Sequence, residues 1–501
     1  MSYLNFKRPF QKFLPLIIAL SGMMLALVQY LQNRSLWLDE AMLALNIIRK
    51  SPLSLLKPLD DEQVAPVLFL QIEKLFSHIM EYSEYGLRLF PLICFAVALF
   101  LFLRILQNFS TDFLWISLCL LFFSLNANLL YYASEVKQYM TDVFVSVLIP
   151  FMVLRDYAKQ RQKIMLIGSA GAISLFLSSI TPIILFSAGL FLIISNWKEI
   201  KSTYFSLLSI FGIWCVFFLG YYFSFVHNHP TKEGMIRFWT QFGGGFPPLN
   251  SGYFNFVFSK IYYHFSIYGK LGIVLFGFFI AGISYMIIKK KFNYLILFIL
   301  PLMLHILLST LRQYPLNGRL MMYLVPYFLI TACLGIQFLV EKIPSKFDLK
   351  WPLFGLFSLM LTFQLIRLYP VKSFYQLFPT TKADESKEEK VREALDFVMD
   401  HKKENDLIYI CSGVGMAFEY YKLKDHLQIK NQVIKGDWFH INDVLETNLN
   451  DTPGDIWFLA SGLYPIGEKE MLSEFLQKRN KKFLLKEELY PQVSQFQIEN
   501  Q

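Results

Sequence analysis

The sequence predicts a polytopic α-helical membrane domain followed by a soluble α/β domain. Three observations carry this. Of the 501 residues, 55% are hydrophobic and 17% aromatic, against roughly 45–50% apolar in soluble domains. Charged residues make up only 17%, where about 25% is usual. Long apolar runs joined by short basic loops fill residues 1–370, and the composition then turns charged. A water-soluble fold could not hide 51 Phe with that much Leu and Ile, so lipid is part of its solvent.

The apolar runs suited to a hydrocarbon core of ~30 Å lie near 13–31, 87–106, 113–131, 138–154, 164–180, 182–196, 203–226, 271–288, 292–310, 320–340 and 351–369, about eleven spans. The stretch 164–196 is divided only by Ser178-Ser179-Ile180-Thr181-Pro182. Lys7, Arg8 and Lys12 precede the first run and no small-residue cleavage site follows it, so it reads as an uncleaved first span.

Charge orients the spans. Sixteen Lys and Arg fall in the N-terminus and every second short loop, among them Lys289-Lys290-Lys291. The short loops of the opposite set hold only Lys137, Arg312 and Arg319. Positive loops stay in the cytoplasm, so an odd span count sends the C-terminal tail and two long connections, 32–86 and 227–270, outside. The net charge of +9 therefore reflects topology, and nucleic acid is excluded as a partner. Cys94, Cys119, Cys215 and Cys333 lie in apolar runs and Cys411 stands alone in the tail. No zinc or disulfide spacing is present.

Beyond 370 the pattern alternates. Residues 382–403 have helical periodicity through Val391, Leu395 and Val398, and Leu407-Ile408-Tyr409-Ile410 reads as a buried strand. A turn and helix over 413–424, a strand over 455–460 and a helix over 468–480 follow. Helix alternating with strand predicts a small α/β domain over 371–501.

Three charged constellations sit at outer span ends. The first is Trp37-Leu38-Asp39-Glu40 after the first span. Adjacent carboxylates repel and are costly to desolvate, so such a pair can act as a base or bind a cation; alternatively Asp39 caps a helix running through Met42, Leu45 and Ile48. The second is Tyr131-Tyr132-Ala133-Ser134-Glu135-Val136-Lys137-Gln138-Tyr139. On a helix, Glu135, Gln138 and Asp142 share a face that continues into a span, where ionisable groups mark function. The plainer alternative is Ser134 as helix cap with Glu135 near the positive helix end. The third is Arg312-Gln313-Tyr314-Pro315-Leu316-Asn317-Gly318-Arg319. Two guanidiniums and a tyrosine beside the bilayer suit a phosphate at headgroup level, or snorkel to anionic lipid.

Two glycine-rich stretches carry less. Gly243-Gly244-Gly245-Phe246-Pro247-Pro248 reads as a mobile loop, and Ser412-Gly413-Val414-Gly415 as a plain strand-to-helix turn. Carboxylates from two segments and arginines from a third, all on one face, compose a site that holds a lipid-linked phosphate and activates a hydroxyl. The alternative is a secondary transporter or flippase of a lipid-linked or anionic solute. Transporters more often place polar residues and broken helices at the bilayer midplane, and here the span middles are almost uncharged.

At these residues the chain resembles the GT-C superfamily of membrane glycosyltransferases, and within it the protein O-mannosyltransferase and aminoarabinose lipid A transferase group. The resemblance rests on the acidic pair in Trp37-Leu38-Asp39-Glu40, the Tyr-Ala-x-Glu-x-x-x-Tyr stretch at 132–139, the Arg-x-Tyr-Pro-x-x-x-Arg stretch at 312–319, and their order. It implies transfer of a sugar from a polyprenyl-phosphate donor to a lipid, glycan or protein acceptor on the non-cytoplasmic face, in a bacterial inner (cell) membrane. It implies Asp39 as general base and Glu40 and Glu135 as supporting carboxylates or ligands of a divalent cation, the one cofactor it leaves open. Arg312, Arg319, Tyr314 and Lys137 would hold the donor phosphate. Many relatives carry a His-Pro-Pro-like stretch in the first outer loop, where this chain has Gln63-Val64-Ala65-Pro66.

Overall fold

The computed structural model describes residues 3–227, 229–241, 244–342, 350–372, 390–427, 429, 433–436, 454–460, 467–478, 482–490 and 493–498. The chain forms two compact units. The first gathers Met1–Leu31, Pro52–Glu73 and Arg88–Val371; the second gathers Gln32–Ser51, Lys74–Leu87 and Lys372–Gln501.

The helices run α1 (Tyr3–Leu31), α2 (Leu38–Arg49), α3 (Val67–Ile79), α4 (Glu84–Phe109), α5 (Phe113–Ser124), α6 (Ala127–Tyr132), α7 (Tyr139–Leu154), α8 (Gln160–Leu177), α9 (Thr181–Ser195) and α10 (Ile200–Tyr221). They continue with α11 (Lys232–Gln241), α12 (Tyr253–Ser266), α13 (Leu271–Ile288), α14 (Phe292–Phe298), α15 (Leu300–Thr310), α16 (Val325–Val340) and α17 (Lys350–Leu368). Each stretch expected to cross the bilayer is helical, and the protein is an integral membrane protein. Among the described residues six helices are long and apolar enough to cross, and a bent pair would make seven. Phe113–Ser124, Tyr139–Leu154 and Thr181–Ser195 are apolar but shorter. The span expected over 113–131 breaks at Leu125, where Asn126 caps α6 by accepting the Leu129 N–H at 3.0 Å. That over 292–310 bends by 45° between α14 and α15, because Pro301 at the start of α15 lacks an N–H for the preceding turn.

Packing in this unit follows membrane rules. A Cβ on Gly282 would collide with the Thr331 carbonyl oxygen, and one on Gly335 with that of Phe278. Only glycine lets α13 and α16 approach this closely, and van der Waals contact then replaces the hydrophobic drive that lipid removes. The Tyr268 hydroxyl donates to the Phe122 carbonyl at 2.9 Å and accepts from Asn126 at 2.8 Å, closing the end of α5 onto α12.

The second unit holds a five-stranded sheet in the order β2-β1-β3-β5-β4, with β1 (Leu407–Ile410), β2 (Val433–Lys435), β3 (Ile456–Leu459), β4 (Phe483–Tyr490) and β5 (Val493–Ile498). β1 pairs in parallel with β2 and β3, and β5 runs antiparallel to β3 and β4. Helices α18 (Val391–His401), α19 (Gly415–Lys424) and α20 (Glu468–Lys478) belong to the same unit. The expected alternation is present from Val391 onward, and the start of the helix expected over 382–403 lies outside the described residues. The sequence pattern missed β2, β4 and β5. β2 has three residues, and β4 and β5 form a hairpin whose Lys486, Gln495 and Gln497 break the apolar runs used to find strands. Helix α2 packs on α19 in this unit.

Candidate active site

The arginine turn is built by local chemistry. α15 ends at Thr310 and Arg312 adopts a left-handed conformation, φ +56°. Its side chain is exposed and makes no ion pair with any described residue. The turn is then clasped by the segment that includes and follows α11. Leu316 N–H donates to the Gly245 carbonyl at 2.6 Å, the Ser309 hydroxyl donates to the same oxygen at 3.2 Å, and Gly245 N–H donates to the Trp239 carbonyl at 2.9 Å. A Cβ on Gly245 would lie 2.7 Å from Pro315 Cβ and 2.9 Å from Trp239 Cε3. Gly245 and Pro247 are buried, so this part of the stretch expected to be a mobile loop is packed structure.

That clasp brings Trp239 to Arg319. The guanidinium carbon lies 5.7 Å from the Trp239 ring centre and 5.8 Å from that of Tyr139, within cation–π range of both. Tyr139 opens α7 and meets Tyr132 edge-on at 5.2 Å. The Tyr132 phenol is buried, has no hydrogen-bond partner among the described residues, and feels the charges of Glu135 and Arg319. Residues from three separate stretches thus converge.

Glu135 and Lys137 differ from expectation in backbone. Residues 133–138 form turns and bends between α6 and α7, so Glu135 does not share a helix face with Gln138 and Asp142. Asn126 caps a helix, α6, that ends after six residues, and Lys137 N–H bonds back to the Glu135 carbonyl at 2.7 Å. Ser134 is not a helix cap; its hydroxyl donates to the Tyr131 carbonyl at 3.3 Å. Both charged side chains are buried. Lys137 Nζ donates to Gln63 Oε1 at 2.8 Å, so the Gln63-Val64 stretch between α2 and α3 docks here. Asp142, one turn into α7, accepts from the Ser178 hydroxyl at 2.5 Å.

Sequence reasoning overlooked His305. It is buried in α15 and stacks edge-on against Tyr314 at 5.1 Å. Its Nε2 lies 3.0 Å from the Pro315 carbonyl and its Nδ1 3.0 Å from the Tyr323 hydroxyl. A carbonyl only accepts, so Nε2 carries a proton. The imidazole therefore ties Tyr314 and Pro315 to α15 and to Tyr323. The signal was a lone histidine inside an apolar run.

The acidic pair belongs to the second unit. α2 begins at Leu38 behind an extended Trp37 that makes no side-chain cap bond. Asp39 is thus not the helix cap. It stands half-buried in the first turn, where the helix dipole favours a carboxylate, and Glu40 is fully buried. No group of three His, Cys, Asp or Glu side chains converges as a metal-ligand set among the described residues. The Ser412–Gly415 turn is already filled: Glu468 accepts the Ser412 N–H at 3.0 Å and the Tyr409 hydroxyl at 3.1 Å. The protein's own carboxylate sits where a phosphate would have to bind.

No sequence-family profile matches the chain, and no curated protein matches it. Solved structures do. ArnT from Cupriavidus metallidurans bound to undecaprenyl phosphate superposes with a TM-score of 0.54 at 8% identity, over 96% of this chain and 97% of that one. The chain has the GT-C fold. The apo state of the same ArnT gives a TM-score of 0.50 at 9% identity over the same shares. An oligosaccharyltransferase from Archaeoglobus fulgidus, in complex with zinc and sulfate, gives 0.47 at 12% identity over 89% of this chain and 68% of that one. In this chain Asp39 lies in α2, Gln63 precedes α3, the α6–α7 turn carries Glu135 and Lys137, and the arginine turn carries Arg319 and Tyr314.

Proposed function

We propose that the protein is a glycosyltransferase that moves a sugar from a polyprenyl-phosphate donor to an acceptor hydroxyl on the non-cytoplasmic face of a bacterial inner membrane, which it crosses about eleven times. The observation that carries this reading is Arg319 seated between Tyr139 and Trp239 at a span end. A guanidinium fixed by two ring faces is pre-organised to hold a phosphate, and the ArnT neighbour was solved with a polyprenyl phosphate.

The reaction is a single displacement. The acceptor oxygen attacks the anomeric carbon as the bond from that carbon to the phosphate oxygen breaks. A carboxylate takes the hydroxyl proton, the part that the resemblance gives to Asp39, and the polyprenyl phosphate leaves with the bonding pair. Inversion follows. The leaving group is already an anion, so it needs charge stabilisation rather than an acid, which Arg319 and Lys137 supply with Tyr314 and Arg312. Glu40 and Glu135 support the carboxylate and cation pattern. A divalent cation would have to be completed by donor oxygens, given the absence of a three-residue ligand set among the described residues.

The bent α14–α15 pair and buried His305 favour the transporter reading. His305, however, is fully used in bracing the arginine turn. One experiment separates the two. Full-length protein in nanodiscs is given the polar lipid extract of its own cells, and polyprenyl phosphate or diphosphate release is followed by mass spectrometry. Release without a solute gradient supports the enzyme; gradient-coupled uptake into liposomes with no release would refute it.

A further inference from the structure

Helix α2 carries the acidic pair yet lacks a cap of its own, since Trp37 makes no side-chain cap bond. The residues that lead into it are bonded instead by the C-terminal tail. Arg392 Nη2 donates to the Asn33 carbonyl at 2.9 Å, where the backbone turns left-handed at φ +44°. The Ser35 hydroxyl donates to Glu393 Oε2 at 2.7 Å and accepts the Arg392 N–H at 3.2 Å. Leu36 N–H donates to the Tyr421 hydroxyl at 2.9 Å. Asn33, Ser35 and Leu36, between α1 and α2, are therefore fixed by groups some 360 to 385 positions away in sequence.

The clamp is anchored. Arg392 Nη1 pairs at 2.7 Å with Glu84, which is buried and also lies 3.4 Å from Lys424. At the far end of α2, Arg49 pairs with Glu419 at 3.1 Å, and Lys435 holds the other Glu419 oxygen at 2.6 Å. Lys74 Nζ donates to the Ile47 and Ile48 carbonyls at 2.8 and 3.1 Å, satisfying the last turn.

We propose that the tail is the positioning element for the acidic helix, with Arg392 and Tyr421 as its positioning residues: they hold the Asn33–Leu36 entry so that Asp39 is presented in one orientation. This rests on the glycosyltransferase reading, in which Asp39 is the base. A base must be held within about 0.5 Å of its productive geometry, and a displacement of about 1 Å costs on the order of 10²-fold in rate. A short loop cannot supply that rigidity. An arginine bonded at once to a buried carboxylate and a backbone carbonyl can.

The test uses full-length protein in nanodiscs with three readouts: polyprenyl phosphate or diphosphate release from the cells' own lipid extract, affinity for undecaprenyl phosphate, and hydrogen exchange over residues 33–49. Arg392→Ala is expected to lower turnover at saturating lipid by about 10- to 100-fold, to leave undecaprenyl phosphate affinity within about twofold, and to speed exchange over 33–49 alone. Arg392→Lys keeps a charge on Glu84 but has no second arm for the Asn33 carbonyl, so its turnover falls between. Tyr421→Phe, which removes a single hydroxyl and leaves the core packing intact, shows the same pattern more weakly. Unchanged turnover despite faster exchange would overturn the proposal, as would an equal loss of turnover and affinity. If the wild type releases no polyprenyl product, the glycosyltransferase reading fails, and exchange over 33–49 still shows whether the clamp holds.

Discussion

The Arg319 guanidinium lies 5.8 Å from the centre of the Tyr139 ring, and Trp239 covers it at 5.7 Å. Tyr139 begins α7, Trp239 lies in α11, and Arg319 ends the arginine turn. Arg319→Ala should therefore weaken undecaprenyl phosphate binding by about 1.5–3 kcal/mol, the value of a charge-assisted contact. Arg319→Lys should recover only part of this, because an ammonium lacks the planar fork and ring stacking. Titration of the purified variants measures both, and an Arg319→Lys affinity equal to that of the wild type would show that charge alone suffices.

Asp39→Asn keeps the shape of the first turn and removes the base. Turnover should fall by on the order of 10²–10⁴ with phosphate binding nearly intact. A wild-type rate in this variant would return Asp39 to a purely helical role.

Glu135→Gln discriminates between two uses of a buried carboxylate. If Glu135 helps hold a cation between protein and donor, binding should weaken and recover in part with excess magnesium or manganese. If it sets the field at Tyr132 and Arg319, added cation should change nothing. Donor-binding titrations across cation concentration decide.

Gly245→Ala inserts a methyl into the 2.7 Å approach to Pro315. Overpacking of this kind costs about 1–3 kcal/mol, and here it pushes Trp239 and the arginine turn apart. Undecaprenyl phosphate affinity should fall while the thermal transition changes modestly. An affinity equal to wild type would show that the clasp does not set the site.

The α2 clamp should weaken in acid. Burial raises the Glu393 carboxyl, but the Ser35 hydroxyl and Arg392 outweigh it and hold the group below its ordinary value. Burial likewise raises Glu419, and Lys435, Lys422 and Arg49 bring it below the usual range. A depressed carboxyl contributes stability above its unfolded pKa, about 4.3, and loses it as pH falls through the lower folded value. Asp396 acts oppositely: burial and Asp425 raise it, so its protonation in acid favours the fold. Hydrogen-exchange protection over 33–49, measured relative to the intrinsic rate at each pH, should fall below about pH 4.3; protection that rises instead would mean Asp396 dominates.

The sequence by itself determined the solvent and the helices. Apolar runs with charge confined to short loops can satisfy their backbone in lipid only as helices, and each run from 13–31 to 351–369 is largely helical, with a break at Leu125 and a bend between α14 and α15. Local pattern also marked β1, β3 and the tail helices, because a buried strand or an amphipathic helix shows its period within a dozen residues. The residues of the candidate site were likewise visible one by one, since charge at a span end stands out against apolar surroundings. Which of them belong together was decided by tertiary structure. Arg319 rather than Arg312 is seated among aromatic rings because Gly245, some 70 positions earlier, leaves room for the clasp. Glu135 is in a turn because α6, capped by Asn126, ends at Tyr132. The acidic helix belongs with a distant tail because Arg392 and Tyr421 complete bonds that its own entry leaves open. Periodicity reports on neighbours in the chain; a hydrogen bond or a close backbone approach between distant segments leaves no period, and only the folded chain reveals it.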